Sequence, residues 1–156
     1  MSKEEIFEAF KQLKVLVIGD VMIDRYLVGK VERISPEAPV PVVNLERQDN
    51  RLGGAANVAL NLKALGATPF LCSVIGMDKA ATTFQQLMKE EGLPNEGILE
   101  EESRITTVKT RVLAKNQQLL RFDSEMTTSI NETVAQRFIQ HIQTLIDTQK
   151  IDDVLF

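Results

Sequence analysis

The sequence has few of the residues that staple a chain, anchor it in a bilayer or steer it to polyanions. It carries one cysteine, Cys72, in 156 residues. That excludes an internal disulfide and fits a reducing compartment. No apolar run approaches the roughly 20 residues needed to cross a bilayer as a helix. Behind the N-terminal Met-Ser-Lys-Glu-Glu there is no signal-peptide core. Positive charge is not in surplus: 18 Lys plus Arg stand against 22 Asp plus Glu, a formal net charge of -4. Such a balance argues against nonspecific binding to nucleic acid or to a membrane surface. The single histidine, His141, has no carboxylate or cysteine at ligand spacing, so no metal role is expected of it. A Gly-x-Gly-x-x-Gly fingerprint is missing, and so is a Gly-x-x-x-x-Gly-Lys-Ser/Thr phosphate loop. With 44% hydrophobic and 26% charged residues the composition is that of a globular domain. The expectation is a cytoplasmic chain with no nucleic-acid and no membrane partner.

What is present alternates between two periods. Ile6, Phe7, Phe10 and Leu13 predict a surface helix over residues 3–12. Val15-Leu16-Val17-Ile18 is a continuous apolar run ending at Gly19-Asp20, the pattern of a strand covered on both faces. Pro36, Pro39 and Pro41 make residues 34–41 loop or edge, after which 42–45 can resume an exposed strand. Gly53-Gly54-Ala55-Ala56-Asn57 announces a helix striped by Val58, Leu62 and Leu65 and ended by Gly66. A strand over 70–75 and a helix striped by Phe84, Leu87 and Met88 follow, the latter closed by Gly92. This alternation predicts βαβ units and a parallel sheet. Residues 93–103 read as acidic loop. The runs 105–113 and 118–122 read as an antiparallel hairpin around Ala114-Lys115-Asn116. Val134, Phe138, Ile142 and Leu145 stripe a last helix, and 151–156 reads as a buried parallel strand. A core strand is normally followed by the loop that carries function at its carboxyl end. The chain is therefore expected to be the front part, residues 1–156, of a longer domain.

Three groups of residues can carry chemistry. Asp20 follows the first strand and Asp24 lies four residues on, so two carboxylates could bracket a polyol at the sheet's carboxyl edge. A turn aspartate capping the next segment is an equal reading. The Gly53-Gly54 pair lets backbone approach a ligand closely, and Asn57 offers both a donor and an acceptor. Close helix–sheet packing without a ligand would use the same glycines. Residues 104–123 hold five bases and one acid, Asp123, within an acidic chain. Strand alternation places Lys109 and Arg111 about 7 Å apart on one face, where they could clamp a phosphate. On the residues alone, a solvated face that blunts an exposed edge strand is slightly favoured. Cys72 sits in an apolar run and reads as a small buried hydrophobe.

Together these segments resemble a known family. The carriers are the strand ending in Gly19-Asp20 and continuing through Asp24-Arg25-Tyr26, the run Arg33-Ile34-Ser35-Pro36-Glu37-Ala38-Pro39-Val40-Pro41, the Gly53-Gly54-Ala55-Ala56-Asn57 segment, and Lys109-Thr110-Arg111 leading to Asn116-Gln117-Gln118. All four are similar to the ribokinase-like (PfkB-type) carbohydrate kinases, and most of all to the heptose 7-phosphate kinase domains of ADP-heptose synthesis proteins. The resemblance runs from about Lys14 to the end. It implies an α/β fold, the N-terminal part of a ribokinase-like three-layer α/β/α sandwich, with a small β-sheet lid built from segments at about 26–47 and 105–123. It further implies that Asp20, Asp24, Gly53, Gly54 and Asn57 line a sugar pocket. Lys109 and Arg111 would hold the substrate's existing phosphate, with Arg33 and Gln118 as secondary candidates.

The implied reaction is transfer of the ATP γ-phosphoryl group to the anomeric hydroxyl of a heptose 7-phosphate, with Mg²⁺. Two departures bear on it. Relatives usually read Gly-Asp-Asp where this chain has Gly76-Met77-Asp78, and Ala80-Ala81 stands where a glycine is common. The family's Gly-Ala-Gly-Asp motif, which supplies the catalytic base and phosphate cradle, is not in the sequence, nor is the His-x-Gly-His of the adenylyltransferase domain that often follows. ATP and Mg²⁺ therefore belong to the complete family enzyme, no catalytic residue is expected in this chain, and neither cofactor is expected to bind it tightly. The expected partners are a phosphorylated sugar and a second copy, in a homodimer through the lid or a sheet edge. The alternative is a non-catalytic sugar-binding or assembly module derived from a kinase.

Overall fold

A computed structural model describes residues 2–115 and 117–156. Asn116, which ends the expected hairpin turn, lies outside the described residues. The elements run α1 (Lys3–Phe10), β1 (Lys14–Ile18), β2 (Val21–Ile34), β3 (Pro41–Gly54), α2 (Ala55–Ala64), β4 (Thr68–Gly76) and α3 (Lys79–Glu90). They continue with β5 (Ile98–Glu101), β6 (Val108–Ala114), β7 (Gln117–Ser124), α4 (Glu132–Gln149) and β8 (Asp153–Leu155). Among the described residues, no helix is long and apolar enough to cross a membrane.

Four strands form a parallel sheet in the order β5-β4-β1-β8. The unbroken apolar run of β1 follows from its having helices on both faces. Val17, with Leu71 and Ile75 of β4, packs against Ala56 and Ala59 of α2 and Phe84 and Met88 of α3. Leu16, with Phe70 and Cys72, packs against Phe138, Ile142 and Leu145 of α4. This is a three-layer α/β/α arrangement. Ala56 and Ala59 are fully buried, so α2 lies close against the sheet on small side chains, with Leu60 and Leu62 partly buried against the same cluster. The chain steps from β1 to β4 and β5 on one side, then returns to set β8 on the other side of β1. Open α/β sheets hold ligands outside the strands' carboxyl ends at such a reversal.

The second sheet has the order β3-β2-β6-β7, antiparallel except for the parallel β2–β6 pair. Its base joins the core: Val21, Ile23, Leu52 and Val108 belong to the cluster under α2 and α3. Alternation therefore turns Asp24, Arg51 and Lys109 to the opposite face. Pro41 opens β3 at the sheet's edge, where a missing N–H disrupts no ladder.

Four expectations change. β2 starts at Val21, so the second sheet begins ahead of the lid segment expected at about 26–47 and takes in Asp24. β6 starts at Val108, because residues 105–107 are held by the core instead: Gly76 N–H donates to the Thr106 hydroxyl at 3.1 Å, and Thr106 N–H donates to Asp78 Oδ2 at 2.8 Å. The acidic stretch expected as loop contains β5, a four-residue edge strand whose half-buried Glu100 and Glu101 blunt that edge. β8 is parallel as expected but exposed on alternate residues, since it too is an edge strand.

Candidate functional site

At the carboxyl end of β1, Gly19 N–H donates to the Cys72 carbonyl at 3.2 Å and the chain turns straight into β2. The Asp20 carbonyl accepts the N–H of Ala55 at 2.9 Å, which ties the start of α2 to the end of β1. Gly54 stands between them with φ 62, and a Cβ there would collide with the Asp20 carbonyl. Both its left-handed backbone and its lack of a side chain are required. Gly53 has a different task. A Cβ on it would meet Asp24 Oδ2 at 2.6 Å, so the absent side chain is the space that the Asp24 carboxylate fills. Both glycines thus have packing roles, Gly54 against the Asp20 backbone and Gly53 against Asp24 and Met22 of the neighbouring strand rather than against a helix.

The Asp20 side chain is exposed and lines a cavity of about 730 Å³. Lys109 lines the same cavity, together with Met22, Thr107, Arg104 and the segment 125–130. Two of the residues singled out in the sequence therefore share one cavity. Asp24 sits one step beyond Met22 and Arg111 one step beyond Lys109 along the polar face of the second sheet, and Gly53 is opposite Met22; none of the three lines the cavity. Gly54 abuts Asp20 through backbone. Asn57 is exposed on the first turn of α2 and does not line the cavity. Arg33 and Gln118 lie apart from this group: Arg33 pairs with Val42 nine residues beyond Asp24, about 30 Å along the strand, and Gln118 pairs with Leu113 near the far end of β6.

The cations at the site are committed to carboxylates. Lys109 Nζ lies 3.2 Å from Asp123 Oδ2 and 3.3 Å from Glu125 Oε2. The hydrogen bonds from Lys109 to Asp123 and then Glu125 raise the ammonium's pKa, so it stays charged throughout the neutral range. Arg111 Nη1 lies 2.5 Å from Asp24 Oδ1, and that hydrogen bond likewise raises its pKa. Burial alone would push the Asp123 carboxyl up. The hydrogen bond from Lys109 and the nearby Arg121 charge outweigh it and hold the group below its ordinary value. Among the described residues, the buried Asp123 Oδ1 has no hydrogen-bond partner. Among the described residues, no group of three or more His, Cys, Asp or Glu is placed to hold a metal ion.

Four features were missed in the sequence. Arg51 and Tyr26 join the polar face: the Arg51 guanidinium stands 4.9 Å from the Tyr26 ring centroid and that of Arg111 stands 5.4 Å from it. Their signal was available, since Tyr26 is two residues from Asp24 and Arg51 two from Gly53, but it needed both segments read as strands. Arg104 donates to the carbonyls of Thr128 at 2.7 Å and Met126 at 3.4 Å, which straps the segment that walls the cavity. Asp78 caps α3 by accepting Ala81 N–H at 2.8 Å while also holding Thr106. Burial works to raise the Asp78 pKa. The backbone N–H groups of Thr106 and Ala81 outweigh burial and leave it lowered.

Comparison with known proteins agrees with this architecture. Residues 12–151 match the family model for pfkB family carbohydrate kinases. The bifunctional protein HldE of Citrifermentans bemidjiense is 48% identical over 139 residues, covering 89% of this chain and 28% of that protein. The HldE of Helicobacter pylori strain J99 is 45% identical over 142 residues, covering 91% of this chain and 30% of that protein. The chain thus spans under a third of the length of these relatives. Among solved structures, the nucleoside kinase of Methanocaldococcus jannaschii, an archaeal member of the ribokinase family, superposes with a TM-score of 0.54 at 21% identity. That match covers 71% of this chain and 36% of the other. It is a likeness of fold, and the fold described here is ribokinase-like over the part present.

Proposed function

This chain belongs to the pfkB family of carbohydrate kinases, and we propose that it forms the sugar-binding portion of a kinase acting on a heptose 7-phosphate in ADP-heptose synthesis for lipopolysaccharide. The observation that carries this reading is the cavity at the carboxyl end of the parallel sheet, shared by Asp20 and Lys109. Asp20 would accept hydrogen bonds from sugar hydroxyls, and Asp24 would do the same through Oδ2, the oxygen that Arg111 leaves free. The polar face of the second sheet would close over the sugar as a lid and direct its phosphate away from the reacting end.

The established family reaction moves the ATP γ-phosphoryl group to a sugar hydroxyl. Phosphoryl transfer depends on positioning and charge stabilisation. The residues present are proposed to supply the acceptor's position, and ATP and Mg²⁺ are proposed to belong to the complete family enzyme, whose Gly-Ala-Gly-Asp motif is not in this sequence. The chain by itself is therefore proposed to bind sugar phosphate and to turn over no ATP. General-base positioning and electrostatic stabilisation each contribute orders of magnitude to such a reaction.

A second copy is the proposed partner. Leu120 and Phe122 of β7 are 56% and 50% exposed, on the side of the second sheet away from the charged face. An exposed edge strand with apolar residues readily pairs with another chain. This observation also favours the second reading, an assembly module whose sugar site is vestigial. Thermal unfolding of the purified chain with heptose 7-phosphate separates the two. Stabilisation that disappears in Asp20→Ala supports a sugar site, and an unchanged melting curve supports the module.

A further inference from the structure

Two register rows cross all four strands of the second sheet on its polar face. The first runs Arg51, Asp24, Lys109, Asp123, and the second runs Asp49, Tyr26, Arg111, Arg121. Every cation in these rows but one has a carboxylate: Lys109 has Asp123 and Glu125, Arg111 has Asp24 at 2.5 Å, and Arg121 has Asp123 at 3.1 Å. Asp49 is also taken, by Arg47 at 3.1 Å on the same strand. The exception is Arg51, which has no carboxylate partner among the described residues. Its guanidinium lies over the Tyr26 ring, which Arg111 also approaches. Two guanidiniums on one ring repel each other, and only one of them is matched by an acid. An anion is therefore lacking at this point of an otherwise neutralised face.

We propose that Arg51 selects the phosphorylated over the unphosphorylated sugar, by holding the substrate's existing phosphate together with Arg111 beside Tyr26. The inference rests on the reading of the cavity as a sugar site, and moves the phosphate contact from Lys109 to Arg51. Stacking uses the face of a guanidinium and leaves the N–H donors around its edge free, in the fork that matches a phosphate bidentately. Lys109 is badly placed for that task, because a phosphate reaching it would meet Asp123 and Glu125. The row holding Arg51 lies about 7 Å beyond Met22, which lines the cavity. Gly53 stands between Met22 and Arg51 on the same face and presents no side chain, so the Asp24 carboxylate and the Met22 side chain are what border that gap. A polyol in the cavity would meet Asp20 first, then Asp24, and would carry its distal phosphate to Arg51.

The test is calorimetric titration of this chain and of Arg51→Gln and Arg51→Lys with D-glycero-D-manno-heptose 7-phosphate and with the unphosphorylated heptose. A charged hydrogen-bonded contact removed without replacement weakens binding about tenfold to a hundredfold. Arg51→Gln should show that loss for the phosphorylated sugar and none for the plain one. Arg51→Lys, which keeps the charge but not the fork, should recover part of it. The ³¹P resonance of the sugar should move on binding to the wild type and far less with Arg51→Gln. Because Arg51 is exposed, thermal midpoints of the variants should match the wild type, which separates lost contact from lost fold. Undiminished affinity of Arg51→Gln for the phosphorylated sugar, or an equal loss for both sugars, overturns the inference alone. Failure of the wild type to bind either sugar overturns it together with the reading on which it rests.

Discussion

Asp24 and Arg111 meet across β2 and β6 one register step apart, with Asp24 Oδ1 2.5 Å from Arg111 Nη1. Asp24 is opposite Lys109 in the ladder and Arg111 is opposite Tyr26, so the ion pair is a diagonal one. The lateral neighbour, Lys109, turns instead to Asp123 and Glu125. This arrangement keeps the two strands' charges in separate pairs and leaves Asp24 Oδ2 in the space over Gly53.

The pair's contribution to folding should be modest, because both side chains keep some contact with water. We expect Asp24→Ala and Arg111→Ala each to destabilise the chain, with a coupling of about 1 kcal/mol in a double-mutant cycle. Denaturant titration of the four proteins measures it. Strictly additive losses would mean that the pair contributes nothing.

Gly53→Ala tests the space that Asp24 fills. The added methyl would stand 2.6 Å from Asp24 Oδ2 and 2.8 Å from Met22 Cγ, so both must shift. The expected cost is about 1–3 kcal/mol. Combining it with Asp24→Ala should recover much of that loss in a denaturation experiment, because the obstructing carboxylate is gone. A double variant as unstable as the sum of the two single ones would show that Met22 or the backbone is the obstacle.

Acid should loosen the junction between the two sheets through Asp78. Its folded pKa lies below the ordinary value of 3.8, so the charged form is favoured in the folded chain. The stability this adds is fully present above the unfolded pKa and is lost as pH falls below about 4 through the folded pKa. Asp78→Asn should flatten the fall in thermal midpoint over that range, at the expense of stability at pH 7. An identical acid limb in the variant would exclude Asp78 as a contributor.

Phe84→Ala should be the most damaging of these changes. The ring is fully buried between α3 and the sheets, and its removal is expected to cost about 3–5 kcal/mol. Urea unfolding gives the figure, and a loss under 1 kcal/mol would mean that the core collapses around the gap.

Self-association should depend on the outer side of β7. Leu120→Ser with Phe122→Ser is expected to lower the sedimentation coefficient towards that of a monomer while leaving the sugar-dependent stabilisation in place. An unchanged coefficient for an associating wild type would move the contact to another surface.

The parallel sheet was legible because burial on both faces leaves a mark in the chain: Val15-Leu16-Val17-Ile18 has no polar interruption, and Gly19, Gly66 and Gly92 follow the ends of β1, α2 and α3. The second sheet was harder. Residues 21–34 set apolar and charged groups in blocks, as in Val21-Met22-Ile23-Asp24-Arg25, with register shifts at Val28/Gly29 and Val31/Arg33, so no clean two-residue period marked Asp24 and Tyr26 as strand neighbours. Arg51 was invisible for the same reason, since its partner Tyr26 lies twenty-five positions away and only the β2–β3 register brings them together. β5 escaped because an edge strand of four residues carries charge rather than an apolar run. Asp20 and Lys109 were legible singly from residue type. Their sharing of one cavity depends on where β6 enters the second sheet, and Thr106 and Asp78 decide that through hydrogen bonds with no sequence signature.

The most direct test of the account is a ¹H–¹⁵N correlation map of the chain titrated with heptose 7-phosphate. The account predicts saturable shifts centred on Asp20, Met22, Asp24, Arg51 and Lys109 and on segment 125–130, with residues of α3 and β5 unmoved. Shifts centred on those distant elements, or no shifts at all, would contradict it.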